Sequence, residues 1–124
     1  MKHLIKKLLR EGLEDTYWDN GEGSRTTLSE LLDATSNIPV KDIPVEDLKS
    51  HIIPSEDLVR IDKSNLNYPI LVFIKDDGNI ITIIDGNHRL QKAIANDLNT
   101  IRGKMIPINS LPPNIKKTFD YMLN

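Results

Sequence analysis

The residues best suited to chemistry lie in one short run, where an apolar segment gives way to an amphipathic one. The run reads Ile83-Ile84-Asp85-Gly86-Asn87-His88-Arg89-Leu90-Gln91-Lys92-Ala93. A helix that begins after Gly86 leaves its first-turn amides without internal partners, at the positive end of the helix dipole. Arg89 adds a planar charged group beside those amides, and Lys92 shares its face of the helix. The run therefore predicts an anion site, for which phosphate is the usual ligand.

The same run also has a purely structural interpretation. Asp85 or Asn87 can act as the N-cap of a helix that binds nothing. The binding hypothesis requires that Gly86 leaves space for the oxygens of a ligand and that Arg89 is available to it. A corner filled by neighbouring side chains, with Arg89 held in an internal ion pair, would remove the basis of the hypothesis.

Periodicity and start signals predict the elements that position this run. Helices are expected over residues 3–13, 27–34 and 88–97, with shorter ones starting at Pro44, Ser55 and Ser110. Strands are expected over residues 38–43, 69–74, 80–84 and 101–108. Residues 17–24 are predicted as a loop, residues 60–65 as a polar connector, and the hairpin of residues 69–84 as the centre of the sheet. This order predicts a mixed α/β or α+β fold in one domain.

Composition excludes several classes of function. The chain has 124 residues, 39% of them hydrophobic and 27% charged, which is typical of one globular domain. It has no cysteine, so a thiol nucleophile, a disulfide scaffold and a cysteine zinc site are excluded. The net charge is -2, so no global basic field favours nucleic acid. We find no apolar stretch of membrane-spanning length and no signal peptide, and we expect a cytoplasmic protein.

Residues 85–93 closely resemble the Gly-x-x-Arg-x-x-x-Ala signature of the ParB/sulfiredoxin superfamily, carried here by Gly86, Arg89 and Ala93. The order of the elements over residues 37–111 is also similar to that family. The resemblance implies a ParB/sulfiredoxin-like domain over residues 37–111, an N-terminal helical extension over 1–36 and a C-terminal helix over 112–124. It also implies that the domain binds a nucleotide.

Site residues follow from the same resemblance. It implies that the turn and the helix start contact phosphate through Gly86, Asn87, His88 and Arg89. Lys92, three positions after Arg89 on the same face, lies within reach of the same ligand. His88 and Arg89 would serve catalysis, and Asp85 would lie near a magnesium ion that accompanies ATP or CTP. A second phosphate-contacting segment precedes the hairpin in the family. Its equivalents here are Arg60, Lys63 and Ser64.

Departures from the family pattern narrow the function. Sulfiredoxins place a cysteine nucleophile where this chain has Asn87, so reduction of sulfinic acids is excluded. Chromosome-partitioning members carry a DNA-binding domain after this unit, whereas only a strand and a helix follow the signature here. The remaining group contains stand-alone phosphotransferases, ATPases and proposed nucleases, many of them encoded by phages, and the N-terminal sequence is phage-like.

Three functions remain open at this point. The first is a nucleotide-binding protein that hydrolyses ATP or CTP or transfers a phosphoryl group with magnesium, using a carboxylate base such as Glu46, Asp47, Glu56 or Asp57. The second is a binding module without turnover, whose N-terminal helix docks a protein partner or a second copy. The third is a nuclease or DNA-binding protein, which the acidic charge balance disfavours.

Overall fold

The computed structural model describes residues 5–8, 16–53 and 55–124 and has the mixed α+β content that the sequence predicts. The strands are β1 (Ile5–Leu8), β2 (Thr16–Asp19), β3 (Arg25–Thr27), β4 (Lys41–Pro44), β5 (Ile70–Ile74), β6 (Ile80–Asp85) and β7 (Thr100–Pro107). The α-helices are α1 (Leu28–Ala34), α2 (Val45–Leu48), α3 (Leu58–Lys63), α4 (Asn87–Ala95) and α5 (Pro113–Phe119). The chain divides into two units, one of residues 38–106 and one of residues 1–37 with 107–124.

The unit of residues 38–106 is built on a four-stranded mixed sheet in the order β4-β7-β5-β6. β4 pairs with β7 antiparallel, and β5 pairs with β6 antiparallel. Apolar side chains of the sheet, of α2 and of α4 form one core, since Leu48, Ile70, Val72, Leu90 and Ala93 are all 0% exposed. The buried face of α4 thus fixes the helix that carries the signature residues against the sheet.

The hairpin of β5 and β6 confirms the predicted strand–turn–strand pattern. Its turn places Gly78 at φ +90°, a conformation that favours glycine. The predicted central position is correct only for β5, because β6 lies at the edge of the sheet. β4 forms the other edge, as expected for a strand next to prolines, although it begins at Lys41 rather than at Ile38.

Residues 58–63 form α3, where the sequence pattern indicated a helix start followed by a polar connector. The helix begins at Leu58, three residues after the predicted start at Ser55, because the carboxylate of Asp57 acts as its N-cap and accepts a hydrogen bond from the Arg60 amide at 3.1 Å. It continues to Lys63, so the connector prediction for residues 60–63 was wrong. No residue of α3 is buried, and an exposed helix leaves no apolar stripe that sequence analysis could detect.

The other unit contains a three-stranded sheet in the order β1-β2-β3. The predicted helix over residues 3–13 was wrong at residues 5–8, which pair antiparallel with β2, Lys6 opposite Trp18. The rest of that prediction lies outside the described residues. The predicted loop over residues 17–24 was wrong for the part in β2 and correct for the turn that follows. Pairing between distant strands decides both segments, and local periodicity does not report it.

Two helix-start predictions in this unit have different outcomes. The capping box at α1 is confirmed, because Thr27 Oγ1 accepts from the Glu30 amide at 3.1 Å and Glu30 Oε1 accepts from the Thr27 amide at 3.0 Å. Ser110 was predicted to cap the last helix, but α5 begins at Pro113. Ser110 instead ends a 3₁₀ turn (Ile108–Ser110), where its hydroxyl donates to the carbonyl of Pro107 at 2.7 Å.

Candidate functional site

The signature run forms the corner between β6 and α4. Gly86 is the N-cap of α4, at φ +118°, and its carbonyl accepts the first helical hydrogen bond from the Leu90 amide at 2.9 Å. No side-chain cap closes this helix end within the described part of the chain, so neither Asp85 nor Asn87 fills the N-cap role that the structural interpretation gave them. The helix start thus keeps the electropositive character that the sequence predicted.

The space beside Gly86 is filled by protein. A Cβ atom at this position would lie 2.4 Å from Cγ2 of Ile70 and 3.2 Å from Nη2 of Arg89. From the sequence, we expected this space to receive the oxygens of a ligand. The glycine instead permits a close approach of the corner to β5, and its left-handed backbone conformation sets the direction in which α4 leaves the sheet.

Arg89 is engaged in an ion pair with the residue that ends β6. Its Nη2 donates to Oδ2 of Asp85 at 2.8 Å, and the two side chains are only 16% and 20% exposed. A half-buried pair at this distance is a charge-assisted hydrogen bond with well-defined geometry. The guanidinium is therefore not the free anion-binding group that the sequence analysis required, and a phosphate would have to replace Asp85 as its partner.

A polypeptide segment that precedes the hairpin covers the first two turns of α4. The Ile53 amide donates to Oδ1 of Asn87 at 3.0 Å. Ser55 makes two contacts: its hydroxyl lies 3.2 Å from Nε2 of His88, and its carbonyl accepts from Nε2 of Gln91 at 3.1 Å. The side chains of Asn87 and His88, predicted as phosphate contacts, thus face this segment.

Ser55 and Gln91 were not among the predicted site residues. The available signal was the row of polar side chains on one side of α4, formed by Asn87, His88, Gln91 and Lys92. These positions are spaced as neighbours on a helix surface. Such a row predicts a polar partner, but it does not tell a bound ligand from another segment of the same chain.

Lys92 joins the end of α3 to α4. Its ammonium donates to the carbonyl of Asp62 at 2.7 Å and to the carbonyl of Ser64 at 2.9 Å. Both carbonyls lie at the C-terminal end of α3, where a cation is electrostatically favoured. The structure therefore directs Lys92 toward α3, whereas Arg89, which was expected to share its ligand, turns back to Asp85.

A pocket of about 340 Å³ opens beside Lys92. It is lined by Lys63, Ser64, Asn65, Leu66, Asn67 and Lys92. The pocket thus brings together residues from both segments that the sequence analysis assigned to phosphate binding. It does not include Gly86, Asn87 or Arg89, and Arg60 is exposed on α3 without lining it.

Three of the five carboxylates predicted as bases or metal ligands have other partners. Asp57 caps α3, Glu46 forms a surface ion pair with Lys49 at 3.2 Å, and Asp85 pairs with Arg89. No group of three or more histidine, aspartate or glutamate side chains that could hold a metal ion occurs within residues 16–53 and 55–124.

The described residues include no helix long and apolar enough to cross a membrane. Comparison of the whole chain with protein-family models, with curated proteins and with solved structures finds no match.

Proposed function

We propose that this chain is a ParB/sulfiredoxin-like domain that binds a nucleotide of the ATP or CTP class through its phosphates, in the cytoplasm. The binding region is the pocket beside Lys92, because the corner at Gly86 is filled by Ile70 and its Arg89 is paired with Asp85, so the corner itself is not an open anion site. The observation that carries the proposal is this pocket, because Lys63 and Ser64 from one segment line it together with Lys92 from the other. A volume of about 340 Å³ falls within the range of small-molecule sites.

The charges around the pocket favour an anionic ligand. Neither Lys63 nor Lys92 forms an ion pair with a carboxylate among the described residues. Lys92 uses two of its three N–H donors on backbone carbonyls, which leaves its positive charge uncompensated by any anion. Two such ammonium groups, with asparagine and serine side chains between them, suit a phosphate group better than a neutral ligand.

Arg89 is a further cation that contacts a phosphate only after its ion pair with Asp85 opens. It is held in place by Asp85, so its side chain is already ordered near the start of α4. A phosphate that displaces Asp85 gains a bidentate partner together with the first-turn amides.

Magnesium is expected to bind only together with the nucleotide. Mg²⁺ in nucleotide sites is bound mainly by phosphate oxygens and waters with one or two carboxylates. Asp85 is the residue that would contribute a carboxylate oxygen once a phosphate has taken over Arg89. The ion would neutralise phosphate charge at that position.

Binding without turnover is the form of this function that the contacts favour. Phosphoryl transfer requires a group that positions or deprotonates the acceptor. Glu46 and Asp57, two of the predicted bases, are engaged in their own local contacts with Lys49 and with α3. The third candidate from the sequence, a nuclease or DNA-binding protein, gains no specific support from the described contacts and becomes an outcome of the test.

The experiment is a thermal-shift panel with ATP, ADP and CTP, each with magnesium and with EDTA. A ligand at one hundred times its Kd stabilises a folded protein by about 2.7 kcal/mol. For a chain of this size, that stabilisation corresponds to a rise in Tm of about 10 °C. Analysis of products over several hours separates binding from turnover, and a duplex DNA titrated over a range of salt concentrations tests the third candidate.

Four variants make the panel specific. Lys63→Ala and Arg89→Ala are expected to reduce the ligand-induced shift, whereas Lys75→Ala, an exposed lysine in the β5–β6 turn, should leave it unchanged. Asp85→Asn weakens the hold on Arg89, so in EDTA it should strengthen nucleotide binding. No shift with any nucleotide, or equal shifts in Lys63→Ala and Lys75→Ala, would contradict the proposal.

A further inference from the structure

We propose that residues 55–64, here named the strap, form a lid that lifts off α4 to admit a ligand and, when closed, completes the pocket with Lys63 and Ser64. The ligand named here rests on the proposed function, but the opening itself belongs to the protein without ligand. The inference comes from how the strap is held in place, from its lack of apolar anchoring and from an unsatisfied polar atom beneath it.

The strap has almost no apolar attachment to the rest of its unit. Leu58 is 74% exposed and Val59 is 61% exposed, and no residue of α3 is buried. By contrast, Ile70 and Val72 of β5 are 0% exposed. Burial of apolar side chains is the dominant stabilising contribution in folding, so the strap can leave α4 without exposing a core.

Hydrogen bonds to one helix hold the strap instead. At its N-terminal end, the hydroxyl and the carbonyl of Ser55 contact His88 and Gln91. At its C-terminal end, the ammonium of Lys92 donates to the carbonyl of Asp62 at 2.7 Å and to the carbonyl of Ser64 at 2.9 Å. These two hydrogen bonds are shorter than the two that Ser55 makes to α4. Each of these groups finds water when the strap lifts, so the net contribution of each bond is modest.

The closed strap leaves one polar atom unsatisfied. Oε1 of Gln91 is buried and has no hydrogen-bond donor among the described residues, while Nε2 of the same amide is fixed by the Ser55 carbonyl. A buried acceptor without a donor raises the free energy of the state in which it occurs. Opening exposes this oxygen to water and thereby lowers the cost of lifting the strap.

The length of α3 also favours opening. It has six residues, and a helix this short is not stable in water without tertiary contacts. The strap therefore belongs to the part of the structure that opens by local unfolding while the sheet stays folded. Once it has lifted, the side chains of His88 and Gln91 and the ammonium of Lys92 face solvent at the start of α4.

Amide hydrogen exchange of the full chain without ligand tests the lid directly. We expect strap amides, such as that of Ile61, to exchange at least a hundredfold faster than those of β5. Lys92→Met removes both Lys92 bonds at the C-terminal end, where, among the described residues, only the 3.4 Å contact of the Ser64 hydroxyl with the His88 carbonyl remains, and should accelerate strap exchange by a further tenfold or more, since hydrogen bonds to a charged donor are the stronger kind. Exchange in β5 should not change.

Two further variants test whether faster exchange depends specifically on the contacts between the strap and α4. Lys75→Met removes an exposed ammonium outside both the strap and α4, and strap exchange should stay within twofold of the parent. Ser55→Ala removes the hydroxyl that contacts His88 and accepts from the Asp57 amide at the other end, and strap exchange should rise several-fold. Strap exchange as slow as that of β5, or no acceleration in both Lys92→Met and Ser55→Ala, would overturn the lid.

Nucleotide addition separates this inference from the proposed function. With ATP and magnesium, binding in the pocket that the closed strap completes should slow strap exchange several-fold. If ATP raises the Tm but leaves strap exchange unchanged, the lid is wrong and nucleotide binding stands. If the strap opens as expected and no nucleotide binds, the opening stands and the nucleotide assignment fails.

Discussion

The substitution Gly86→Ala tests the corner on which both proposals depend. Gly86 has φ +118°, and an added Cβ would lie 2.4 Å from Cγ2 and 2.7 Å from Cβ of Ile70. Ile70 is fully buried in the central part of the sheet, so it has little freedom to move aside. Either the helix start or β5 must therefore shift when the methyl group is added.

The expected cost has two parts. A non-glycine residue in a left-handed conformation costs about 1–2 kcal/mol, and overpacking in a filled core costs about 1–3 kcal/mol. The sum of about 2–5 kcal/mol is a large fraction of the about 5–15 kcal/mol that stabilises a typical domain. With an m-value of about 2 kcal/mol/M, Gly86→Ala should lower the urea midpoint by about 1–2.5 M.

Gly78→Ala is the matched control for this measurement. Gly78 also has a positive φ, at +90°, but a Cβ added there would meet nothing within 4 Å. Its substitution should therefore cost only the backbone strain of about 1–2 kcal/mol. If the two variants lose the same stability, the contact between Gly86 and Ile70 does not constrain the corner as we have argued.

Three more predictions concern the unit of residues 1–37 and 107–124, each measured by urea denaturation. Thr118→Val should lower the free energy of unfolding by about 1–3 kcal/mol, because it leaves the buried hydroxyl of Thr26 without its partner at 2.8 Å. The double variant with Thr26→Val should recover part of this stability. An additive loss in the double variant would contradict the pairing. Thr27→Ala removes the capping side chain of α1 and should cost about 1 kcal/mol, so an unchanged midpoint would show that the cap contributes nothing. Burial raises the pKa of Tyr121 above 10.0; because the folded protein then holds the phenol proton more tightly than the unfolded chain, the free energy of unfolding should fall as the pH rises through 10. Tyr121→Phe should lessen this alkaline fall, and identical pH profiles for the two proteins would refute it.

Local rules were reliable where the interacting groups lie within a few residues of each other. The capping box of Thr27 and Glu30 needs only contacts across one helical turn, and it forms as predicted. The turn at Gly78 and the helix after Gly86 likewise follow from backbone freedom at a glycine next to a strongly apolar or amphipathic segment. These features place the signature run at a strand–helix corner before any tertiary contact is considered.

Tertiary pairing decided the segments in which a local pattern competes with a distant partner. Residues 5–8 have helical spacing but form β1, because their backbone groups bond to β2 in the paired register. The same pairing turns Tyr17 and Trp18 from a predicted loop into a strand. Periodicity describes the side chains of one segment and carries no information about which other segment satisfies its backbone.

The sequence likewise determined only part of the candidate site. The sequence by itself defined the corner at Gly86, the cations Arg89 and Lys92 and the second segment with Lys63 and Ser64, because residue types and spacing fix which chemical groups a helix start can offer. The pairing of Arg89 with Asp85 spans only four residues and belongs to the same local information. Only the tertiary structure decided that Lys92 holds the end of α3 and that the strap covers the first turns of α4. The partner of a charged side chain depends on which groups lie within about 3 Å of it, and that distance is set by the packing of segments some 30 residues apart in the chain.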